Sequence, residues 1–137
     1  METITLQHDI RVLYVTATSF PDGIMDAYKK LHAFFPAPET RKYYGISRPE
    51  NGVIVYKAAA EELYPGEAQK WNGNDLIIKS GKYIAATIKD YMKDVREIGR
   101  IFQELLAHPR LDPEGYCVER YLNNDDVQCM VRILEQV

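Results

Sequence analysis

Two periods of apolar residues alternate along this chain, one typical of strands and one typical of helices. In two segments the apolar residues recur every three or four positions, which places them on one helical face. These segments predict helices over 23–35 and 92–107, ended by Pro36 and Pro109 because proline cannot continue a helix. The apolar faces comprise Ile24, Ala27, Tyr28, Leu31 and Phe34 or Phe35 in the first helix, and Val95, Ile98, Ile101, Phe102, Leu105 and Leu106 in the second.

Segments rich in β-branched and aromatic residues predict eight strands around these helices. Asn51-Gly52 is a strong hairpin signal, 80–82 is interpreted as a tight turn and 123–126 as the turn of a second hairpin. The polar segment 61–74, which holds the only tryptophan, is interpreted as a connector. The predicted strands are 3–7, 11–18, 41–48, 53–60, 76–79, 83–88, 116–122 and 127–134.

The order of elements is the same in both halves of the chain, β-β-α-β-β. We therefore predict one α+β domain over 1–137, with a first module of about 1–60, a connector of about 61–74 and a second module of about 75–137. Apolar positions match between the halves while side-chain identity is low, so an old duplication and convergence on one packing solution both stay open. The match places Gly45 where the second half has Glu119.

Composition and charge disfavour several functional classes. Hydrophobic residues make up 46% of the 137 residues, and a net charge of −3 argues against a nucleic-acid-binding surface. The N-terminus lacks a signal-peptide pattern, and no apolar run reaches the roughly 18 to 20 residues of a membrane span. We expect a cytoplasmic protein with no membrane and no nucleic-acid partner.

The cysteines and histidines indicate no metal site or cofactor. Cys117 and Cys129 fall in adjacent predicted strands and show no metal or redox spacing. They are interpreted as small apolar core thiols in a reducing compartment, rather than as a disulfide. The three histidines lie far apart in sequence.

Five stretches of the chain together resemble the GyrI-like small-molecule-binding domain, which is also the effector-binding module of many AraC-type and MerR-type transcription regulators. They are VLYVTATSFPDGIMDAYKKL, YYGISRPENGV, SGKYIAATIKD, IFQELL and VERYLNN. The resemblance covers almost the whole chain, rests on the order and spacing of these stretches, and is to the stand-alone members. It implies two strand-helix-strand-strand modules with pseudo-twofold symmetry, a curved antiparallel sheet with two helices on one face, and a groove between the modules that binds bulky apolar, often cationic, compounds.

The resemblance also implies that Glu119 is the counter-charge among the aromatic rings of that groove. Strand alternation puts Cys117, Glu119 and Tyr121 on one face, so Glu119 and Tyr121 face the groove if Val118 and Leu122 face the helices. A lipophilic cation would then offset the cost of burying the carboxylate. The alternative is a solvated strand residue paired with a lysine or arginine.

The aromatic residues supply further candidates for the ligand site, because tyrosine favours wet apolar surfaces. For each tyrosine, core or surface packing stays as open as ligand contact. Trp71 is either a lid or a residue that packs over the sheet edge. The candidate ligand-binding residues beside Glu119 are Tyr44, Tyr56, Trp71, Tyr83, Tyr116 and Tyr121.

Three functions follow as hypotheses. The first is non-catalytic binding of a hydrophobic or cationic small molecule, for sensing or sequestration. The second is hydrolysis of a strained, cyclopropane-type electrophile, with Glu119 directing water and Tyr44 or Tyr83 donating a hydrogen bond. The third is a protein-interaction module like the relatives that inhibit DNA gyrase, whose partner the sequence does not identify.

Overall fold

The computed structural model describes residues 1–35, 41–71, 73–123 and 125–135, and these form an α+β protein. All of its described strand pairings are antiparallel. The strands are β1 (Glu2–Leu6), β2 (Ile10–Thr16), β3 (Tyr43–Glu50), β4 (Val53–Glu61), β5 (Asp75–Ile78), β6 (Gly81–Ile88), β7 (Cys117–Tyr121) and β8 (Val127–Arg132). The helices are α1 (Ile24–His32), α2 (Glu67–Trp71), α3 (Arg96–Leu105) and a 3-10 helix (Tyr91–Lys93).

The chain divides into two compact units, 9–78 and 1–8 with 79–137. The 9–78 unit has the strand order β3-β4-β2-β5, with α1 on one face of the sheet. Its helix-side core is formed by Leu13, Ala27, Leu31, Ala58, Ala60 and Ala68. The predicted Asn51-Gly52 turn joins β3 to β4 with φ of 52° and 80°, a conformation that asparagine and glycine tolerate best.

The second unit has the strand order β1-β6-β8-β7, with α3 packed on one face. α3 presents Phe102 and Leu105 to apolar residues of β6 and β8, as its three- and four-residue spacing predicts. The sheet side of this core comprises Ile88, Val127, Cys129 and Val131. Cys117 and Cys129 are free thiols in this unit, as interpreted from the sequence.

Strand pairing differs from the predicted module boundaries at two strands. The expectation places β1 in the first module and β5 in the second, but β1 pairs with β6 and β5 pairs with β2. Each unit therefore takes its edge strand from the stretch assigned to the other. The stretch 80–82 is not a hairpin turn, because β6 already begins at Gly81 and β5 pairs elsewhere. The residues of a short apolar strand do not identify the strand with which it pairs. Assigning each strand to the module of its neighbours in sequence therefore gave the wrong partners.

Two helices also differ from prediction. The predicted 92–107 helix is interrupted: the 3-10 helix ends at Lys93 and α3 begins at Arg96. Asp94 and Val95 separate them. Asp94 Oδ1 accepts the Arg96 N–H at 3.2 Å, and Val95 of the predicted apolar stripe is 53% exposed. The predicted connector contains α2, which is too short for an apolar period to reveal it.

A buried ion pair attaches α2 to the start of the β3 segment. Arg41 donates from two nitrogens to the two carboxylate oxygens of Glu67, both at 2.8 Å, and these side chains are 2% and 3% exposed. Arg41 also donates to the Glu61 carbonyl and lies 3.9 Å from the Phe35 ring centroid. Burial disfavours the charged carboxylate, but hydrogen bonds from Arg41 and from the Leu63 N–H outweigh it and hold the pKa of Glu67 below its usual 4.5.

Breaking this pair should destabilise the fold strongly. Glu67→Gln leaves the Arg41 guanidinium buried without its counter-charge, so we expect the free energy of unfolding to fall by about 3–5 kcal/mol in urea titrations at pH 7. The loss should shrink as pH falls below about 4.5, because the lowered pKa of Glu67 stabilises the fold only while the carboxylate is charged.

Arg11→Met is the matched control, since the Arg11–Asp75 pair is 3.5 Å long with side chains 52% and 33% exposed. It should cost under about 1 kcal/mol. The double variant Arg41→Met with Glu67→Met should recover much of the stability. A Glu67→Gln cost no larger than that of Arg11→Met would contradict the role given to the pair.

Candidate functional site around Glu119

Glu119 lies at the centre of β7 and is 8% exposed, so it is not a solvated strand residue. Its cross-strand partner on β8 is Cys129, which is fully buried. Side chains directly opposite in an antiparallel pair share a face. The carboxylate is therefore held on the same side of the sheet as a buried thiol.

That side is the one that carries α3. Cys117 and Tyr121 both pack against the α3 core, and strand alternation puts Glu119 on their face. Val118, 3% exposed, lies on the opposite face. The condition under which alternation would turn Glu119 and Tyr121 toward a groove, that Val118 and Leu122 face the helices, is therefore not met; Leu122, at 50% exposure, lies beyond the end of β7. Alternation fixed which residues share a face, but not which face meets the helix.

A tyrosine hydroxyl contacts the carboxylate directly. Tyr121 Oη donates to Glu119 Oε1 at 2.6 Å, a short charge-assisted bond between residues two apart on one strand. The Tyr121 ring meets the Tyr91 ring edge to face, with centroids 5.5 Å apart at 62°. The sequence did not indicate Tyr91 as a site residue, because 89–91 lies between a predicted strand and a predicted helix. The signal for it is that an aromatic residue follows the end of β6 by three positions.

The negative charge of Glu119 shows in the pKa values of its neighbours. Burial first, and Glu119 second, raise the pKa of the Cys117 thiol to about 11 and that of Cys129 to about 12. Burial, Glu119 and Asp125 likewise raise the pKa of Tyr91 above 10.0. The site therefore combines a carboxylate with two phenols and two thiols, and the raised pKa values favour the protonated forms of Tyr91, Cys117 and Cys129.

The remaining predicted residues of this unit lie elsewhere. Tyr83 is 3% exposed and its hydroxyl donates to the Lys79 carbonyl at 2.6 Å. Because its neighbour Ile84 packs on the α3 core, alternation puts Tyr83 on the opposite face from Glu119. Tyr116 is half-buried and lies just before β7. Alternation therefore excludes Tyr83 from the face of Glu119, and Tyr116 lies outside the strand to which alternation applies.

Three predicted residues belong to the 9–78 unit. Tyr56, on the α1 side of β4, has its hydroxyl 3.0 Å from that of Tyr28 and its ring 6.0 Å from Phe20. Tyr28 Oη also donates to the carbonyl oxygen of Tyr44 at 2.8 Å. Tyr44 is 1% exposed and, by alternation with Tyr43, its ring lies on the face away from α1.

Trp71 ends α2 and packs on the core of the same unit. Its ring stacks on Phe34 with centroids 6.3 Å apart at 4°, and meets Phe35 edge-on. This is the packing alternative considered for Trp71 in the sequence. The structure thus brings together only Glu119 and Tyr121 among the predicted residues of the second unit, and adds Tyr91 to them.

Two cavities lie in the 9–78 unit. One of about 460 Å³ is lined by Arg11, Asp75 and residues 62–66 and 69, and another of about 420 Å³ by residues 16–20 and 52–55. Among the described residues, no three His, Cys, Asp or Glu side chains are grouped to hold a metal ion. None of the helices in the described ranges has both the length and the apolar character that a membrane crossing requires.

Comparisons with known proteins identify the fold. No protein-family model matches the sequence, and no curated protein matches it. Among solved structures, an integron cassette protein from the mobile metagenome of Vibrio cholerae matches with a TM-score of 0.70 and 15% identity, covering 97% of this chain and 95% of that one. A hydrolase from Listeria innocua matches at 0.60 and 12% identity, covering 97% and 90%.

A third solved structure, of a protein bound to tetraphenylphosphonium, matches with a TM-score of 0.59 and 12% identity, covering 96% of this chain and 93% of that one. Identities this low show a shared fold and leave function to the residues of the site. The chain therefore has the same α+β fold as these three proteins.

The charge of Glu119 should control the reactivity of its neighbouring thiol. In a Cys129→Ala background, Glu119→Gln removes the charge and keeps a hydrogen-bond acceptor for Tyr121. We expect Cys117 to react about three- to tenfold faster with a disulfide reagent at pH 8, because its pKa falls toward the ordinary value. The pH-rate profile gives the pKa directly.

Glu104→Gln on the exposed side of α3 makes the same charge change at a distance and should leave the rate unchanged. An unaltered Cys117 pKa in the folded Glu119→Gln protein would show that the carboxylate does not act on the thiol.

Proposed function

We propose that this protein binds a bulky hydrophobic or cationic small molecule beside Glu119, with the carboxylate as buried counter-charge, for sensing or sequestration. The observation that carries the proposal is the burial of Glu119, 8% exposed, on a face shared with Tyr121 and next to the Tyr91 ring. An acid at this depth stands among rings and thiols, which is a favourable setting for a cation that carries apolar groups.

The physical argument is the cost of burying a charge. A carboxylate removed from water is stabilised by a positive charge nearby, and a lipophilic cation can supply one without desolvating an ammonium group. Aromatic rings add cation–π attraction of roughly 0.5–2 kcal/mol each when the contact is desolvated. Tyr121 and Tyr91 meet edge to face, so they present a ring face and a ring edge close to one acid.

One of the three solved structures supports the same class of ligand. Tetraphenylphosphonium, present in one of the three, is a bulky apolar cation. The proposal is that this chain uses its similar fold for a compound of that kind. The proposal also rests on the resemblance of five stretches of this chain to the GyrI-like domain. Membership of that family is itself part of the proposal.

The predicted duplication is part of this proposal. Within 9–78 the strand order is β3-β4-β2-β5, with α1 between β2 and β3 along the chain; in the other unit it is β7-β8-β6-β1, with α3 between β6 and β7. Strand for strand, each unit is a strand-helix-strand-strand module with one added edge strand. This agreement supports a duplicated module, of which only the second copy carries the acid at the matched position.

An apolar cation should stabilise the folded protein through Glu119. Tetraphenylphosphonium at about 100 times its Kd should raise the free energy of unfolding by about 2.7 kcal/mol, seen as a rise in Tm. Glu119→Gln should weaken the affinity, measured by calorimetry, about tenfold or more, since the bound cation loses its counter-charge.

Glu104→Gln carries the same loss of charge at an exposed position and should bind as the wild type does. A neutral ligand of similar shape, such as a tetraphenylmethane derivative, shows how much of the affinity comes from size and how much from charge. Equal affinity of the cation for wild type and Glu119→Gln would remove the carboxylate from the account.

A second function is favoured by the Tyr121–Glu119 hydrogen bond. A carboxylate fixed at 2.6 Å by a phenol on the same strand is oriented, and an oriented base can take a proton from water. In hydrolysis of a strained cyclopropane, the water oxygen would bond to a ring carbon, a ring C–C bond would break, and the released carbon would take up a proton. The fold shared with a hydrolase from Listeria innocua supports this alternative.

The geometry changes the residues assigned to that chemistry. Tyr83 donates to the Lys79 carbonyl on the other face of the sheet, and Tyr44 belongs to the 9–78 unit, whereas Tyr121 contacts the carboxylate. Tyr121 is therefore the phenol proposed to act with Glu119. The protein-interaction function stays a prediction.

Hydrolysis should be visible as a change in mass. Incubation with a cyclopropane electrophile should give a ring-opened product 18 Da heavier, at a rate proportional to enzyme concentration, with the added oxygen coming from ¹⁸O-water. Glu119→Gln should lower the rate about 10²- to 10⁴-fold, the usual contribution of a general base. Wild type that binds the compound but gives no water adduct above the buffer rate would restrict the function to binding.

A further inference from the structure

The β3–β4 hairpin extends past the end of β2 and leaves part of β4 without a neighbour on that side. Pairing of β2 with β4 ends at Thr16 opposite Lys57, and the Ala17 N–H still donates to the Tyr56 carbonyl at 2.8 Å. β4 itself begins at Val53. In the part of the chain that the structure describes, no strand runs beside residues 53–55 at this edge.

Pairing with β3 fixes which main-chain groups point to the open edge. Pro49 lies opposite Ile54, and because proline has no N–H this pair cannot exchange the two bonds of a hydrogen-bonded pair. The Glu61 N–H donates to the Lys42 carbonyl at 2.9 Å, and hydrogen-bonded positions recur at every second residue. Both observations place the N–H and C=O of Ile54 on the side away from β3.

A cleft of about 420 Å³ lies between this edge and the loop that follows β2, lined by residues 16–20 and 52–55. The chain of β2 departs from β4 here, so the cleft occupies the place where β2 would have continued. Three apolar side chains at the cleft are exposed: Phe20 at 43%, Ile54 at 44% and Val53 at 65%. An open main-chain edge next to exposed apolar side chains is the arrangement that accepts an added strand.

The charges nearby indicate the sign of the partner. None of the residues that line the cleft is charged. Glu50, at the end of β3, is 40% exposed and its carboxylate pairs with Lys57 Nζ at 3.6 Å, whereas Asp22 is exposed two residues after Phe20. A lysine or arginine flanking an apolar residue would meet Asp22 at the rim.

We propose that the Ile54 edge, meaning residues 53–55 with the adjoining cleft, binds an extended peptide segment of a partner protein as an added strand. The main chain of the peptide bonds to Ile54, one apolar side chain enters the cleft beside Phe20, and a basic side chain lies near Asp22. At about 3.3 Å per residue, 53–55 spans about 10 Å, so the contact covers roughly three peptide residues and suits a transient interaction. It lies wholly within 9–78 and does not depend on Glu119.

A labelled Lys-Val-Ile-Val-Lys peptide with blocked ends tests the proposal by fluorescence anisotropy. Ile54→Pro removes the edge N–H without removing a ladder bond, because that N–H points away from β3. It should weaken binding about tenfold or more, whereas Ile54→Val, which keeps the N–H, should stay within about twofold of wild type. The same peptide methylated on its central main-chain nitrogen should also bind about tenfold or more weakly.

Amide hydrogen exchange in the wild type gives a readout that does not depend on the variant folding. The Ile54 amide should exchange quickly in the free protein and slow on addition of the peptide, while the Val55 amide, bonded within the hairpin, stays slow throughout. Binding that is equal for the methylated peptide or for folded Ile54→Pro overturns strand addition, and so does an Ile54 amide that is already protected. A concentration-dependent dimer lost in Ile54→Pro also overturns it, because a second copy would then occupy the edge.

Discussion

The free energy of removing a carboxylate from water is the constraint on which both described parts of this protein depend. Within the described ranges two glutamates are buried, and their hydrogen-bond donors differ. Glu67 receives a bidentate guanidinium from Arg41 and a main-chain N–H from Leu63, so the chain supplies its counter-charge internally. Glu119 receives the hydroxyl of Tyr121, a neutral donor, at 2.6 Å. Both acids therefore keep hydrogen-bond donors at positions that water does not reach.

Periodicity predicted most of the fold. The helical spacing of Leu31 and of Phe102 with Leu105 located α1 and α3, because one apolar stripe is enough to define a helix packed on a sheet. Asn51-Gly52 located a hairpin because few other residue pairs tolerate positive φ at both positions. Strand partners were beyond the reach of this reasoning: β1 and β5 are short, and nothing in their side chains distinguishes a neighbour in sequence from a strand further along the chain.

Of the candidate site, the sequence predicted the acid and the neighbouring tyrosine but not the face of the sheet on which they lie. Glu119 stood out as an acid within a strand-forming run, and the same two-residue period correctly put Tyr121 beside it. The period could not say which face of β7 meets α3, since Val118 is as apolar as the residues that do. Tyr91 escaped notice because its position depends on how the chain turns after β6, and Tyr83 was included although its hydroxyl is used by a main-chain carbonyl.

The two thiols next to Glu119 have a consequence for the lifetime of the protein. Cys117 and Cys129 are soft nucleophiles, yet with pKa values near 11 and 12 they remain almost entirely S–H at neutral pH. An electrophile that reached this face of the sheet at neutral pH would therefore form a thioether only slowly. An ordinary exposed cysteine, with a larger thiolate fraction, would be alkylated and lost.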